Sequence, residues 1–187
     1  MSAPAVLFDE GRIARRVREI GAEVTRAMAG RDLCVVGRAK GCMMFMPDLV
    51  RVVPLDLTCH FLHVTSLRDE EGDGPPRTDI VYSTETTWEG RHILLLDDVV
   101  DTGITLSFLV DHISDRRPDS LKVCALIDKP RERKIDVQID WAAFTMEESV
   151  PDRFLVGYGL DHAERYRGLP YIGTIPRPAM PAGGDGR

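Results

Sequence analysis

Between Ile93 and Thr105 the chain reads ILLLDDVVDTGIT, and its side chains are of the kinds that grip a phosphorylated sugar. Asp97 and Asp98 are acceptor-only carboxylates, able to take hydrogen bonds from a pair of vicinal hydroxyls or to hold Mg²⁺ through water. Ribose carries such hydroxyls. From Asp101 through Thr102, Gly103 and Ile104 to Thr105 the chain offers successive backbone N–H groups, a glycine that permits close approach and two threonine hydroxyls. Placed at a helix N-terminus, that composition suits a phosphate monoester.

Such groups need a rigid element behind them. Ile93 to Leu96 form an unbroken apolar run bounded by turn residues, the mark of a strand covered on both faces in a parallel sheet, and such strands present ligand sites at their carboxyl ends. Upstream, Ile13, Val17, Ile20, Val24 and Met28 recur at three- and four-residue intervals. The spacing predicts an amphipathic helix over about 9–29, capped by Asp9 and stopped by Gly30, with Arg12, Arg15, Arg16 and Arg18 mostly on its wet face. Leu33 to Val36 reads as the first buried strand, Met43 to Val53 as a helix ending at Pro54, and Leu55 to Val64 as a second strand. Ser66 to Thr78, SLRDEEGDGPPRT, has no period and reads as a mobile loop between strands. Ile80 to Ser83 gives a short strand, Leu106 to Ile113 a helix stopped near Pro118, and Leu121 to Ile127 and Ile139 to Phe144 continue the sheet. Alternating strands and helices predict an α/β fold with a mostly parallel central sheet flanked by helices. Residues 176–187 are rich in Pro and Gly, and are expected to be disordered.

A length of 187 residues with 43% hydrophobic and 29% charged content suits one globular domain. The net charge of -6 disfavours a nucleic-acid partner, because phosphate neutralisation by Lys and Arg dominates that affinity. Cys34, Cys42, Cys59 and Cys124 form no CxxC pair and read as small buried hydrophobes in a reducing compartment. The start MSAPAVLFDEGR is unlike a signal peptide and no stretch nears eighteen apolar residues, so a cytoplasmic protein without a membrane partner is expected. Gly37 to Gly41, GRAKG, has the wrong spacing for a dinucleotide fingerprint or a Walker A loop, which disfavours a dehydrogenase and an ATPase.

The pattern Asp-Asp-x-x-Asp-Thr-Gly-x-Thr at residues 97–105 resembles the PRPP-binding motif of type I phosphoribosyltransferases. With RAKGCMMFMPDLV early in the chain, and DKPRERKIDVQIDWAAF and PDRFLVGYGLDHAERYRGLPYIG late in it, the likeness runs from Phe8 to Ile175 and is similar to the bacterial hypoxanthine-guanine phosphoribosyltransferases. The resemblance implies the type I phosphoribosyltransferase fold as one domain over residues 1–175. A small purine-binding hood would be built from the N-terminal segment and about 129–175. It implies transfer of the 5-phosphoribosyl group of PRPP to N9 of hypoxanthine, guanine or both, releasing pyrophosphate and forming IMP or GMP.

Carried over by residue, the resemblance implies that Asp97, Asp98 and the loop Asp101, Thr102, Gly103, Ile104 and Thr105 hold the ribose and phosphate of PRPP. Lys40 and Gly41 would wrap pyrophosphate after a cis peptide at Ala39–Lys40, and Arg167 would bind it too. Asp161, with Asp97 and Asp98, would hold Mg²⁺. Phe154 would stack on the purine, Lys129 donate to its 6-oxo group, and the backbone of Leu155 meet the base edge. Asp101 would lie near purine N7 as general acid/base. Donor-only Lys129 faces adenine's 6-amino group with a second donor, so hypoxanthine and guanine are favoured over adenine. A homodimer or homotetramer is implied, with helix faces around Met43 to Phe45 as contact surfaces.

The chain departs from the family at its lid, which usually opens with Ser-Tyr. Ser66 is present, but Leu67 stands where tyrosine is expected, and the acidic DEEGDGPPRT follows. An acidic lid over an anionic substrate is electrostatically unfavourable. About four extra residues at Met146 to Val150 precede the hood, and Leu155 stands where valine is more usual. The altered lid keeps a second reading open, a paralogue that binds PRPP or a purine nucleotide as a sensor or regulator without efficient turnover.

Overall fold

The structure is a computed structural model and describes residues 3–67, 77–82, 87–146 and 153–176. A six-stranded sheet has the spatial order β4 (Arg77–Tyr82), β3 (Leu57–Leu67), β2 (Leu33–Arg38), β5 (His92–Val100), β6 (Ser120–Asp128), β7 (Trp141–Thr145). β3 to β7 in that order run parallel, and β4 alone pairs antiparallel at the edge. The apolar run of β5 explains its central place. Leu94 and Leu96 enter the core on one face of the sheet, Ile93 and Leu95 the core on the other. Each such side chain contributes about 1.5–3 kcal/mol when fully buried.

Helix α1 (Glu10–Met28) covers one face with α2 (Phe45–Arg51), and α3 (Ile104–Ser114) covers the other. The predicted stripe of α1 is buried, Asp9 accepts from the Arg12 N–H at 2.8 Å, and Gly30 takes a positive φ of 72° beyond the last turn. α2 is shorter than its sequence predicts: a 3-10 turn occupies Gly41–Met43 and the α-helix begins at Phe45. Pro47, which has no N–H to donate, is tolerated only in a first helical turn, and so fixes where the helix starts. Phe45 is fully buried within the chain, which corrects its assignment to a contact surface; Met43 is exposed.

β3 starts later than expected because Leu55 N–H turns back to Val53 O at 2.8 Å. It also runs further, to Leu67, with Ser66 opposite Thr78 and Leu67 opposite Arg77. The loop expected from Ser66 to Thr78 is therefore narrower, and residues 68–76 lie outside the described residues, as do 147–150 and the tail from 177.

A second sheet, β1 (Ala5–Phe8), β9 (Ile172–Pro176) and β8 (Arg153–Val156), is antiparallel throughout. Phe8, Leu155 and Ile172 of this sheet pack into the main core. Phe8 stacks on Phe144 of β7 with ring centroids 3.9 Å apart, and Tyr158 Oη donates to Asp48 of α2 at 2.6 Å. Cys34, Cys42 and Cys124 are buried as expected, Cys59 is exposed, and all four are free thiols. No helix among the described residues is long and apolar enough to cross a membrane.

Candidate functional site

β5 carries its two acids within its last four residues, continues through Val99 and Val100, and turns through Asp101, Thr102 and Gly103 into α3. Gly103 has φ 80°, and a Cβ there would lie 2.4 Å from Ile135 O and 2.8 Å from Arg133 Cδ, so only glycine lets the loop close against the segment beneath it. That segment holds the loop. Lys134 and Ile135 both donate their N–H groups to Thr102 O, at 2.9 and 3.0 Å, and Arg133 Nε donates to Asp101 O at 3.0 Å while its Nη2 pairs with Asp128. Asp101 is exposed, and its Oδ1 accepts from Thr102 N–H at 2.6 Å. A cavity of about 310 Å³ opens here, lined by Arg38, Asp97, Asp98, Val99, Val100, Asp101, Gly103, Thr105 and Leu106. Of the expected sugar-phosphate residues, Asp97, Asp98, Asp101, Gly103 and Thr105 line this cavity, and Thr102 and Ile104 do not.

The acid pair is not bare. Arg38, the last residue of β2, donates from Nε to Asp97 and from Nη2 to Asp98, and Asp98 N–H donates to Asp97 Oδ1 at 2.9 Å. Asp97 is 2% exposed. Burial pushes its carboxyl pKa up, opposed by the Arg38 guanidinium. Sequence reading missed Arg38 as a site residue. The available signal was a cation ending an apolar strand, which becomes informative only when β2 is known to lie beside β5.

The loop after β2 carries a cis peptide at Ala39–Lys40, as the resemblance implies. A Cβ on Gly41 would lie 1.7 Å from Asp98 Oδ2, so this loop presses on the acid pair through a residue without a side chain. A Cβ on Gly159 would in turn meet Gly41 O at 2.2 Å, which puts the loop of residues 157–167 in backbone contact with residue 41. That loop is tightly wound, with positive φ at Tyr158, Ala163, Glu164 and Tyr166. Left-handed backbone at non-glycine residues costs on the order of 1–3 kcal/mol each, and collects at functional sites.

Four charges meet on it. Arg167 Nη2 pairs with Asp161 Oδ1 at 2.8 Å and with Glu164 Oε2 at 3.3 Å, and Lys40 Nζ reaches the same Glu164 oxygen at 3.2 Å. Arg167 Nη1 donates to Gly159 O at 2.8 Å, while its buried Nε has no hydrogen-bond partner among the described residues. Lys40 and Arg167 lower the pKa of the exposed Glu164 carboxyl. Sequence reading missed Glu164, whose position in AERYR looks like ordinary surface.

Lys129, Phe154 and Leu155 do not line the cavity. Lys129 follows β6, donates its N–H to Val100 O at 2.9 Å and holds Nζ 3.5 Å from Glu132. It thus stands one residue pair from Asp101. Half-buried Phe154 lies in β8 with His162 stacked on it at 4.8 Å, and Leu155 packs on the main core. Ser66 sits in β3, remote in sequence from these elements, and its backbone pairs with Thr78.

The chain matches the phosphoribosyl transferase domain family over residues 6–163. It is 40% identical over 175 residues to the hypoxanthine-guanine phosphoribosyltransferase of Bacillus subtilis, covering 94% of each chain. It is 37% identical over 175 residues to the hypoxanthine phosphoribosyltransferase of Escherichia coli, covering 91% of this chain and 94% of that one. Among solved structures, a hypoxanthine phosphoribosyltransferase from Staphylococcus aureus superposes with a TM-score of 0.81 at 35% identity, over 91% of this chain and 90% of that one.

Proposed function

The chain belongs to the phosphoribosyl transferase family, and from that premise we propose that it is a purine salvage enzyme, transferring the 5-phosphoribosyl group of PRPP to N9 of hypoxanthine or guanine. The observation that carries the reading is the cavity that joins the acid pair of β5 to the start of α3, lined by Asp97, Asp98, Gly103 and Thr105. In the reaction the purine N9–C1 bond forms as the C1–O bond to pyrophosphate breaks, and IMP or GMP results. Charge separates in such a transition state, so the protein's task is to stabilise it and to align two reactants.

Thr102, Gly103, Ile104 and Thr105 bind the 5-phosphate through backbone N–H groups and hydroxyls, and the Asp97–Asp98 pair orients the ribose. Lys40, Gly41 and Arg167 take the pyrophosphate. There the exposed Glu164 carboxylate bridges both cations and gives way to the more highly charged ligand. Lys129 donates to the 6-oxo group, Phe154 stacks on the base and the backbone of Leu155 meets its edge. As N9 bonds to C1, Asp101 accepts the proton that leaves the base at N7, a general acid/base role worth about 10²- to 10⁴-fold in rate.

Mg²⁺ is implied by the resemblance, and the three acids expected to hold it fit poorly as direct ligands. Asp97 and Asp98 are paired with Arg38, Asp161 with Arg167, and the described residues contain no cluster of three or more His, Cys, Asp or Glu suited to a metal. The ion therefore enters this reading with the diphosphate oxygens of the substrate, a common mode for Mg²⁺. The reading also places the enzyme in the cytoplasm, where free thiols persist, as a homodimer or homotetramer that sedimentation would resolve.

The test is to mix the protein with PRPP, Mg²⁺ and each of hypoxanthine, guanine, xanthine and adenine, and to follow nucleotide and pyrophosphate. Turnover with a 6-oxo purine and little with adenine is expected. Binding of PRPP or nucleotide without turnover on any base would favour the sensor reading instead.

A further inference from the structure

We infer that Arg38 is the resident cation of the Asp97–Asp98 pair and lets the ribose grip work without a divalent ion of its own. The inference rests on the sugar-phosphate reading of the cavity. Parallel pairing puts Gly37 beside Leu96, so the next residue of β2, Arg38, comes level with the carboxyl end of β5 where the acids stand. Its guanidinium then spans them, one N–H to an oxygen of each. A planar fork can do this and a point-charged ammonium cannot.

Three further observations make the arrangement a built one. Arg38 is 24% exposed at its side chain and lines the cavity, so it faces the ligand space and not bulk solvent. Asp98 N–H closes onto Asp97 Oδ1, fixing the two carboxylates against each other. A Cβ on Gly41 would collide with Oδ2, Cγ and Cβ of Asp98, so the glycine lets the loop back closely onto that side chain. Two adjacent carboxylates repel, and a positive group bridging them offsets that repulsion. Here that group is covalently part of the chain. Arg38 occupies one oxygen of each carboxylate and leaves acceptor capacity for sugar hydroxyls, while a second cation at the same oxygens would meet like charge at contact distance. Mg²⁺ is thereby left to the diphosphate.

A 5′-nucleotide separates the two sides, because IMP or GMP carries ribose and phosphate but no diphosphate. Its binding would be measured calorimetrically in Mg²⁺ and in EDTA. Wild-type affinity should agree within about twofold between the two conditions. Arg38→Leu should bind at least tenfold more weakly in EDTA and regain fivefold or more with Mg²⁺, since the freed carboxylates then accept the ion. Arg38→Lys keeps the charge but reaches one carboxylate, and should fall between them; it serves where the leucine variant does not fold. Wild-type binding that weakens tenfold in EDTA overturns the inference, as does Arg38→Lys or Arg38→Leu binding like wild type in EDTA. A wild-type protein that binds neither nucleotide nor PRPP in any condition, and turns over no base, fails the underlying reading and takes the inference with it.

Discussion

At the end of β5 the acid pair and the loop backbone after it are held from several sides: Asp97 by Arg38 and a backbone N–H, Asp98 by Arg38 and the crowding of Gly41, and the 101–103 loop by Arg133, Lys134 and Ile135. On the loop of residues 157–167 the charges meet nearer the surface, and Glu164, 67% exposed, holds Lys40 and Arg167 by contacts of 3.2 and 3.3 Å that water can replace. The first region is organised before a ligand arrives. The second holds its cations in place with a carboxylate that an incoming polyphosphate displaces. A site that must retain one end of a substrate and release the other benefits from that division, because preorganisation favours binding and exchangeable pairs favour departure.

The strongest challenge to this contrast is Asp97→Ala. It strips a partner from Arg38 in a nearly dry setting, and losing half of such a pair typically costs about 3–5 kcal/mol. Urea melts should show a loss near the lower end of that range, and a change under about 1 kcal/mol would mean that the region is not held as described. Asp101→Asn should leave stability nearly unchanged, since the carboxylate is exposed, while turnover drops about 10²- to 10⁴-fold and nucleotide binding persists. Unchanged turnover removes Asp101 from the mechanism. Gly103→Ala should lower stability by about 1–3 kcal/mol from the positive φ and the collision with Ile135 O, and raise the KM for PRPP more than that for the base. Equal rises in both would show that the loop serves the whole site.

The smallest effect belongs to the outer cluster. Lys40 first, and then Arg167, lower the Glu164 pKa below its usual 4.5. The stability from these pairs is thus present above that ordinary value and is lost as pH falls through the lowered one. Carboxyl NMR titration should find Glu164 low in the free protein and closer to ordinary in Lys40→Ala. A Glu164 that titrates identically in both would dissolve the bridge.

The inner region was largely legible in sequence because its chemistry is local. Strand, acids, glycine and helix start fall within Ile93–Thr105, and Asp9 likewise announces its helix within three residues. The hood strands were not, since β1 and β9 are short, lack a usable period and pair across the whole chain, Val6 with Gly173. Arg38 was hidden for a related reason. Its partners lie 59 and 60 residues on, and only the adjacency of β2 and β5 turns an arginine in GRAKG into part of the acid pair. The start of α2 was displaced by Pro47, a local signal that the helical period outweighed.

The pairing of β1 with β9 also decides how the molecule answers to tension. Ala5 lies opposite Thr174, so the segment entering β1 and the segment leaving β9 emerge from the same end of an antiparallel pair. A pull on both would load that ladder one hydrogen bond at a time, as a zipper opens from its slider, and would not shear the parallel strands together. A translocating or unfolding machine that seizes both ends would therefore strip the three-stranded sheet, and with it Phe154 and Leu155, before it strains the strand that carries Asp97 and Asp98.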